Sequence, residues 1–116
     1  MTIAQAAAAL GAAPICGEEN LDKTLSSGCG ADLMSDVLAF AKHGSILLTG
    51  MVNQHVIRTA EMLDVLCIAF VRGKKPTEDI CELARQTGVT ILCSDYTLYE
   101  ACGRLYQDGL PPCGRL

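Results

Sequence analysis

The sequence predicts a single α/β domain, in which helices sandwich a small, mainly parallel β-sheet. Its 116 residues provide enough chain for one hydrophobic core. Half of the residues are hydrophobic and 19% are charged, a composition typical of a folded globular domain rather than a disordered chain. Three short, continuously apolar runs alternate with amphipathic segments of helical length. That alternation is typical of parallel βαβ units.

The first third of the chain is predicted to contain two helices and two short strands. We predict a helix over Ile3–Leu10, a strand over Pro14–Cys16, a strand over Thr24–Gly28 and a helix over Leu33–Ala41. An acidic turn, GEENLDK, separates the two strands. These elements precede the regular part of the pattern.

From residue 45 onward, three predicted strands are each followed by a predicted helix. The strands are SILLTG, VLCIAFV and VTILCS, and the helices are QHVIRTAEML, TEDICELARQTG and TLYEACGRLYQDG. We expect Gly88 and Gly109 to end the last two helices, and Thr97 and Glu100 to form a capping box. Right-handed crossovers then place helices over the sheet.

The segment LSSGCGADLMSDV places two glycines around a cysteine directly before a helix. Its glycines suit a loop, and neither a second cysteine at close spacing nor an adjacent base supports a reactive thiol. We therefore interpret Gly28 and Gly30 as serving backbone geometry, with Cys29 as a small side chain between them. Asp32 or Ser35 is expected to cap the helix that follows.

A ligand site is predicted where the three central strands end. In open parallel sheets, ligands bind beyond the carboxyl ends of the strands, close to helix N-termini. Arg72, Lys74 and Lys75 would bind phosphates, Gly50 would allow close backbone approach, and a tyrosine (Tyr96 or Tyr99) would stack on a base. The alternative is that these segments are ordinary βα turns with helix caps. The predicted site residues are Thr49, Gly50, Asn53, Arg72, Gly73, Lys74, Lys75, Ser94, Asp95, Tyr96 and Thr97.

Catalytic chemistry finds little support in the sequence. Neither a P-loop, G-x-x-x-x-G-K-[ST], nor a complete G-x-G-x-x-G fingerprint is present. His43 and His55 are the only histidines, and a nucleophile–base pair of Cys29 with His55 has no support from spacing. We therefore predict a protein that is not an enzyme and has no catalytic residues.

Seven cysteines are present without a C-x-x-C pair, so the sequence predicts no metal site. Those in apolar strands or on an apolar helix face are predicted to be structural: Cys16, Cys67, Cys93 and Cys102. Cys81 and Cys113 are expected to be exposed. An alternative is that Cys29, Cys102 and Cys113 meet in space as a thiol or metal sensor.

Charge and hydropathy exclude further classes of function. The net charge is −4, the pI is near 5.0 and the basic residues are scattered, so no nucleic-acid partner is predicted. The apolar runs are shorter than the roughly 18 residues of a membrane helix, so no membrane association is predicted. The alanine-rich start lacks the basic region of a signal peptide. A cytoplasmic protein is expected.

The sequence resembles the DRTGG domain family over almost its entire length. The resemblance rests on the motifs DLMSDV, LLTG, RTAEMLD, ARQTGVTIL and DYTLYEACGRLY. A degenerate form of the family's signature precedes them, in Asp22, Lys23, Thr24, Ser27 and Gly28. The resemblance implies a fold similar to the N-terminal domain of HPr kinase/phosphorylase, one domain over residues 1–110, and a short tail over residues 111–116.

The resemblance also implies a function. Family members occur in regulatory-domain pyrophosphatases, where they take part in dimerisation and in adenine-nucleotide binding. We therefore expect a non-catalytic regulatory homodimer with an adenine-nucleotide ligand at the carboxyl edge of the sheet. The alternatives are a docking subunit of a larger redox or metabolic enzyme complex, and the thiol or metal sensor. The hydrophobic residues of Leu33–Phe40 exceed what one sheet face needs, and are compatible with a dimer surface.

Overall fold

The computed structural model describes residues 1–114, in which five strands and five α-helices build one α/β layer structure. The strands are β1 (Ala13–Cys16), β2 (Gly28–Gly30), β3 (Ile46–Thr49), β4 (Cys67–Phe70) and β5 (Thr90–Cys93). The helices are α1 (Ile3–Ala9), α2 (Met34–Phe40), α3 (Gln54–Met62), α4 (Glu78–Thr87) and α5 (Leu98–Gln107). One 3₁₀ turn spans Glu18–Asn20.

The strands form one sheet in the order β1-β5-β4-β3-β2. Strands β2 to β5 are mutually parallel, and β1 pairs with β5 in the antiparallel sense. The carboxyl ends of the four parallel strands therefore lie at one edge. The predicted mainly parallel α/β class is confirmed.

Two apolar clusters cover the sheet, one on each face. Helices α2, α3 and α4 pack with Leu47, Ile68 and Ile91 on one face. Helices α1 and α5 pack with Leu48 and Leu92 on the other. Because β3 and β4 are buried on both faces, every residue of both strands is buried. This explains why these strands are continuous apolar runs in the sequence.

The strand predicted over Thr24–Gly28 is wrong in position. The parallel register with β3 begins at Gly28, which pairs with Ile46, and it ends at Gly30. The preceding residues instead bind the N-terminus, where the Leu25 N–H donates to the Met1 carbonyl at 2.8 Å. The signature loop expected around Cys29 is consequently an edge strand.

The predicted caps are partly confirmed. Leu33 is the N-cap residue of α2 and makes no side-chain capping bond, so neither Asp32 nor Ser35 caps this helix. Thr97 Oγ1 accepts a hydrogen bond from the Glu100 N–H at 3.3 Å, whereas the Glu100 carboxylate accepts from Arg104, so only half of the predicted capping box forms. Gly88 ends α4 in the left-handed conformation, with φ of 80°.

The segment after α5 lies along the outer side of β2. The Gly28 N–H donates to the Pro111 carbonyl and the Cys113 N–H donates to the Gly28 carbonyl, both at 2.9 Å. Residues 115–116 of the predicted tail lie outside the described residues, so the boundary at residue 110 stays a prediction. None of the helices in the described chain has the length and apolar character required to cross a membrane.

Candidate functional site

Three loops meet at the carboxyl edge of the sheet, following β3, β4 and β5. The Arg72 N–H donates to the Tyr96 carbonyl at 2.7 Å, and the Gly73 N–H donates to the Ser94 carbonyl at 3.0 Å. The Arg72 guanidinium lies directly over Gly50, in space that a β-carbon at Gly50 would occupy. The structure thus places the predicted glycine, basic and polar–aromatic segments side by side.

The Asp32 carboxylate, which the sequence analysis did not assign to this edge, holds the loop after β3 in place. Asp32 Oδ1 accepts hydrogen bonds from Thr49 Oγ1 at 3.1 Å and from the Gly50 N–H at 2.7 Å. Thr49 Oγ1 in turn accepts from the Met51 N–H at 3.1 Å. Asp32 follows β2, and the parallel pairing of β2 with β3 brings it beside Thr49. Only the strand order could have placed Asp32 at this edge, because its neighbours in the sequence suggested a helix cap instead.

Several predicted site residues have structural partners. Asn53 Oδ1 accepts from the Val56 N–H at 3.0 Å and caps α3. Thr97 caps α5 in the same way. Ser94 is buried, and its hydroxyl donates to the Leu10 carbonyl at 2.8 Å. These three side chains hold backbone in place, as the alternative of ordinary capped turns predicts.

The predicted stacking residues lie in different surroundings. The Tyr96 ring is half-buried, and the Arg104 guanidinium lies 4.1 Å from its centroid. One face of Tyr96 is therefore already stacked. Tyr99 is 90% exposed and lies on the outward face of α5, where it lines a cavity beside β2.

The charged groups of the edge face solvent. Arg72, Lys74, Lys75 and Asp95 are exposed, and neither lysine forms a salt bridge with any residue in 1–114. Arg72 and Gly73 both have positive φ, 60° and 68°, which turns the chain sharply after β4. The result is three cations on one tight loop. Such a loop can bind an anionic group such as a phosphate.

A cavity of about 370 Å³ lies between α5 and β2, and sequence reasoning did not identify it. Its walls include Gly30, Tyr99, Cys102, Gly103 and Tyr106. Tyr99, Gly103 and Tyr106 share one face of α5, because they are spaced by four and three residues. That spacing is visible in the sequence and could have indicated this surface. Tyr106 is 67% exposed, so two aromatic rings border an apolar hollow on one surface.

The cysteine predictions are confirmed in part and corrected in part. Cys16 and Cys67 are buried as expected, and Cys93 and Cys102 are half-buried. Cys81 and Cys113, expected to be exposed, are buried. Cys81 lies on the inward face of α4, and the pairing of the last segment with β2 covers Cys113. No group of three or more His, Cys, Asp or Glu side chains in residues 1–114 is arranged to bind a metal.

Burial makes most of the thiols weaker acids than an exposed cysteine. It is the largest cause of a raised pKa at Cys16, Cys67, Cys81, Cys93 and Cys102. At Cys29 the pKa rises to about 11, first through burial and then through the neighbouring thiol of Cys113. Thiols of this kind react slowly at neutral pH, because the thiolate is the nucleophile.

We expect Cys29 to make the protein less stable in alkali. Its pKa is raised in the folded chain, so its contribution is complete below pH 9 and is lost as pH rises toward 11. The loss at pH 10 is at most about 1.4 kcal/mol, the value of one pKa unit. Urea unfolding of the wild type and Cys29→Ser at pH 8 and pH 10 measures it. A stability difference between the two proteins that does not change with pH would contradict the assignment.

Comparisons with known proteins give the family and the fold. The DRTGG domain model matches residues 5–107. No curated protein is significantly similar to the chain. A similar solved structure is that of the CBS and DRTGG domains of the regulatory region of Clostridium perfringens pyrophosphatase, complexed with the activator diadenosine tetraphosphate.

The likeness to this pyrophosphatase region is in the fold. The TM-score is 0.75 at 20% sequence identity, and the match covers 95% of this chain and 47% of the other. The chain therefore spans about half the length of the region it matches. With the family model covering most of its length, and a family-containing structure sharing its fold, the protein belongs to the DRTGG domain family.

Proposed function

We propose that this chain is a non-catalytic regulatory domain that binds an adenine nucleotide at the carboxyl edge of the sheet. The observation that carries the proposal is the exposed cationic loop of Arg72, Lys74 and Lys75, which follows a central parallel strand. The similar pyrophosphatase region was crystallised with a diadenosine activator, which supports the choice of nucleotide.

The nucleotide phosphates would be bound by this loop. Lys74 and Lys75 have no salt-bridge partner among the described residues, so binding an anion would break no ion pair of theirs. Arg72 would leave its position over Gly50 and expose that backbone to the phosphate. The base would stack on the Tyr96 ring in place of the Arg104 guanidinium, because the half-buried ring also packs against the apolar cluster of α1 and α5.

Calorimetric titration with AMP, ATP and diadenosine tetraphosphate tests the proposal. We expect the double variant Lys74→Glu/Lys75→Glu to bind more weakly by about a hundredfold or more, since each of the two lost charge-assisted contacts contributes about 1.5–3 kcal/mol. Lys23→Glu, an exposed lysine before β2, is the matched control and should bind normally. No heat at millimolar ligand, or equal loss in both variants, would overturn the proposed site.

The non-catalytic part of the proposal has its own measurement. The chain lacks a P-loop, and its uncharged polar side chains at the carboxyl edge, those of Asn53, Ser94 and Thr97, are engaged in caps and backbone bonds. We expect bound ATP and diadenosine tetraphosphate to remain intact during prolonged incubation, as followed by anion-exchange chromatography. Protein-dependent turnover that is lost in Lys74→Glu/Lys75→Glu would show an enzyme instead.

We also propose that the domain forms a homodimer through the outward face of α5. Tyr99 and Tyr106 project there, and Gly103 between them leaves a hollow, so one surface carries both the protruding rings and the space to receive them. A surface of this kind can pair with its own copy around a two-fold axis. Aromatic side chains are enriched at such interfaces.

Light scattering after size exclusion tests the dimer. We expect twice the 12.3 kDa chain mass for the wild type and the single chain mass for Tyr99→Ala/Tyr106→Ala. Met62→Ala is the matched control, because Met62 is 71% exposed on α3. A monomeric wild type would overturn the dimer. Capture of a larger enzyme through these same tyrosines would favour the second candidate, a docking subunit of an enzyme complex.

A further inference from the structure

Two thiols face each other where the last described segment joins the sheet. Gly28 and Pro112 form a parallel bridge, flanked by the hydrogen bonds of Gly28 to Pro111 and Cys113. One residue further along both chains, Cys29 stands beside Cys113. Neighbouring positions in a parallel ladder lie about 5 Å apart and project to the same face. Disulfides require Cα atoms between about 4.4 and 6.8 Å apart.

Contacts on this face support the same placement. Ser27 and Cys29 project to the same face, because successive strand residues alternate between faces. The Ser27 hydroxyl lies 3.3 Å from Cys113 Sγ. A cavity of about 360 Å³ is lined by both Cys29 and Cys113, together with Asp36 and Phe40 of α2. A small oxidant can therefore approach the pair from solvent.

Cys102 lies on the opposite face of β2. A β-carbon at Gly30 would collide with Cys102 Sγ, and Gly30 projects away from the face of Cys29. Cys29 and Cys113 therefore lie together on one face of β2, and Cys102 lies alone on the other face.

We propose that Cys29 and Cys113 form a reversible disulfide that fastens the segment after α5 to the edge strand β2. The oxidant would be a hydroperoxide. Because the raised pKa of Cys29 keeps its thiolate scarce at neutral pH, this oxidation would be slow. One thiolate attacks the peroxide, the O–O bond breaks, and a sulfenic acid forms as hydroxide leaves. The second thiolate attacks that sulfur, the S–S bond forms, and the second hydroxide leaves. With the two thiol protons, the products are one disulfide and two waters when the oxidant is hydrogen peroxide.

The oxidised chain would be more resistant to unfolding. The bond would join residues 29 and 113, and so close a loop over most of the chain, which removes entropy from the unfolded state. We expect its Tm to exceed that of the reduced chain by about 5 °C or more. The proposal does not depend on nucleotide binding or on the dimer.

The experiment is peptide mapping of the full chain after treatment with hydrogen peroxide. Trypsin releases Cys29 in Thr24–Lys42 and Cys113 in Leu105–Arg115, and neither peptide contains a second cysteine. We expect the intact mass to fall by about 2 Da, from loss of two hydrogens, and these two peptides to be linked until dithiothreitol is added.

Substitutions define the pair. Cys29→Ser and Cys113→Ser should each abolish the linked peptides and the rise in Tm, whereas Cys81→Ser, a buried thiol on α4, should retain both. Seven thiols that all remain alkylatable after peroxide would overturn the proposal. So would linkage of Cys29 to Cys102, or oxygen addition at Cys29 without linkage.

Discussion

Replacing Gly17 by alanine is expected to destabilise the protein by about 3 kcal/mol or more, among the largest effects of any single substitution in this chain. Gly17 has φ of 82°, in the left-handed region that favours glycine. A β-carbon there would lie 2.5 Å from Thr90 Oγ1 and 2.7 Å from Thr90 Cα. Because the second atom is backbone of the buried strand β5, rotation of a side chain cannot relieve the collision.

The chain offers a matched control at Gly88. It has nearly the same φ, 80°, but no atom within 4 Å of the position that a β-carbon would take. Gly88→Ala should therefore cost only the conformational strain, about 1 kcal/mol. Urea unfolding monitored by circular dichroism measures both variants. Equal losses would mean that contact with Thr90 does not constrain Gly17.

The collision at Gly17 also predicts which second substitution fails. Thr90→Ala removes Oγ1 but leaves Cα in place, so it should not restore the stability of Gly17→Ala. Thr90→Ala should itself be destabilising, because Thr90 Oγ1 donates to the Gly17 carbonyl at 3.0 Å. Recovery in the double variant would show that the hydroxyl alone caused the clash.

The central strands could be predicted from the sequence because both of their faces are buried. In β3 and β4 every position must be apolar or small, so each strand is a continuous apolar run that periodicity detects. Strand β2 could not be placed in the same way. It has three residues, two of them glycine, and only its register with β3 shows that Gly28–Gly30 is the strand.

For the candidate site, too, the strand order could be used for prediction, but the individual contacts could not be predicted. Parallel order alone predicted that loops after neighbouring strands would share an edge. It could not show that Asp32, seventeen residues before Thr49, would brace that edge. Nor could it show that the segment LPPCG would turn back onto β2 and bury Cys113. These contacts depend on long-range geometry, for which the local residues carry no periodic signal.

The second large effect is expected at Gly30, where α5 approaches β2. Gly30 does not have a positive φ, so an alanine is compatible with its backbone. Its β-carbon would nevertheless overlap Cys102 Sγ, while the next atom, Leu98 Cδ1, lies at an ordinary 3.6 Å. We expect Gly30→Ala to cost about 2 kcal/mol through overpacking between the strand and the helix.

A double-mutant cycle isolates this contact. Cys102→Ala removes the sulfur, so adding Gly30→Ala in that background should cost almost nothing, with a coupling of about 2 kcal/mol by urea unfolding. Gly28→Ala is the matched control. Its β-carbon would meet Leu110 Cδ2 at 3.0 Å, and its cost should be independent of Cys102. Additive costs for Gly30 and Cys102 would contradict close packing. Coupling would show that Gly30 lacks a side chain because α5 occupies its space.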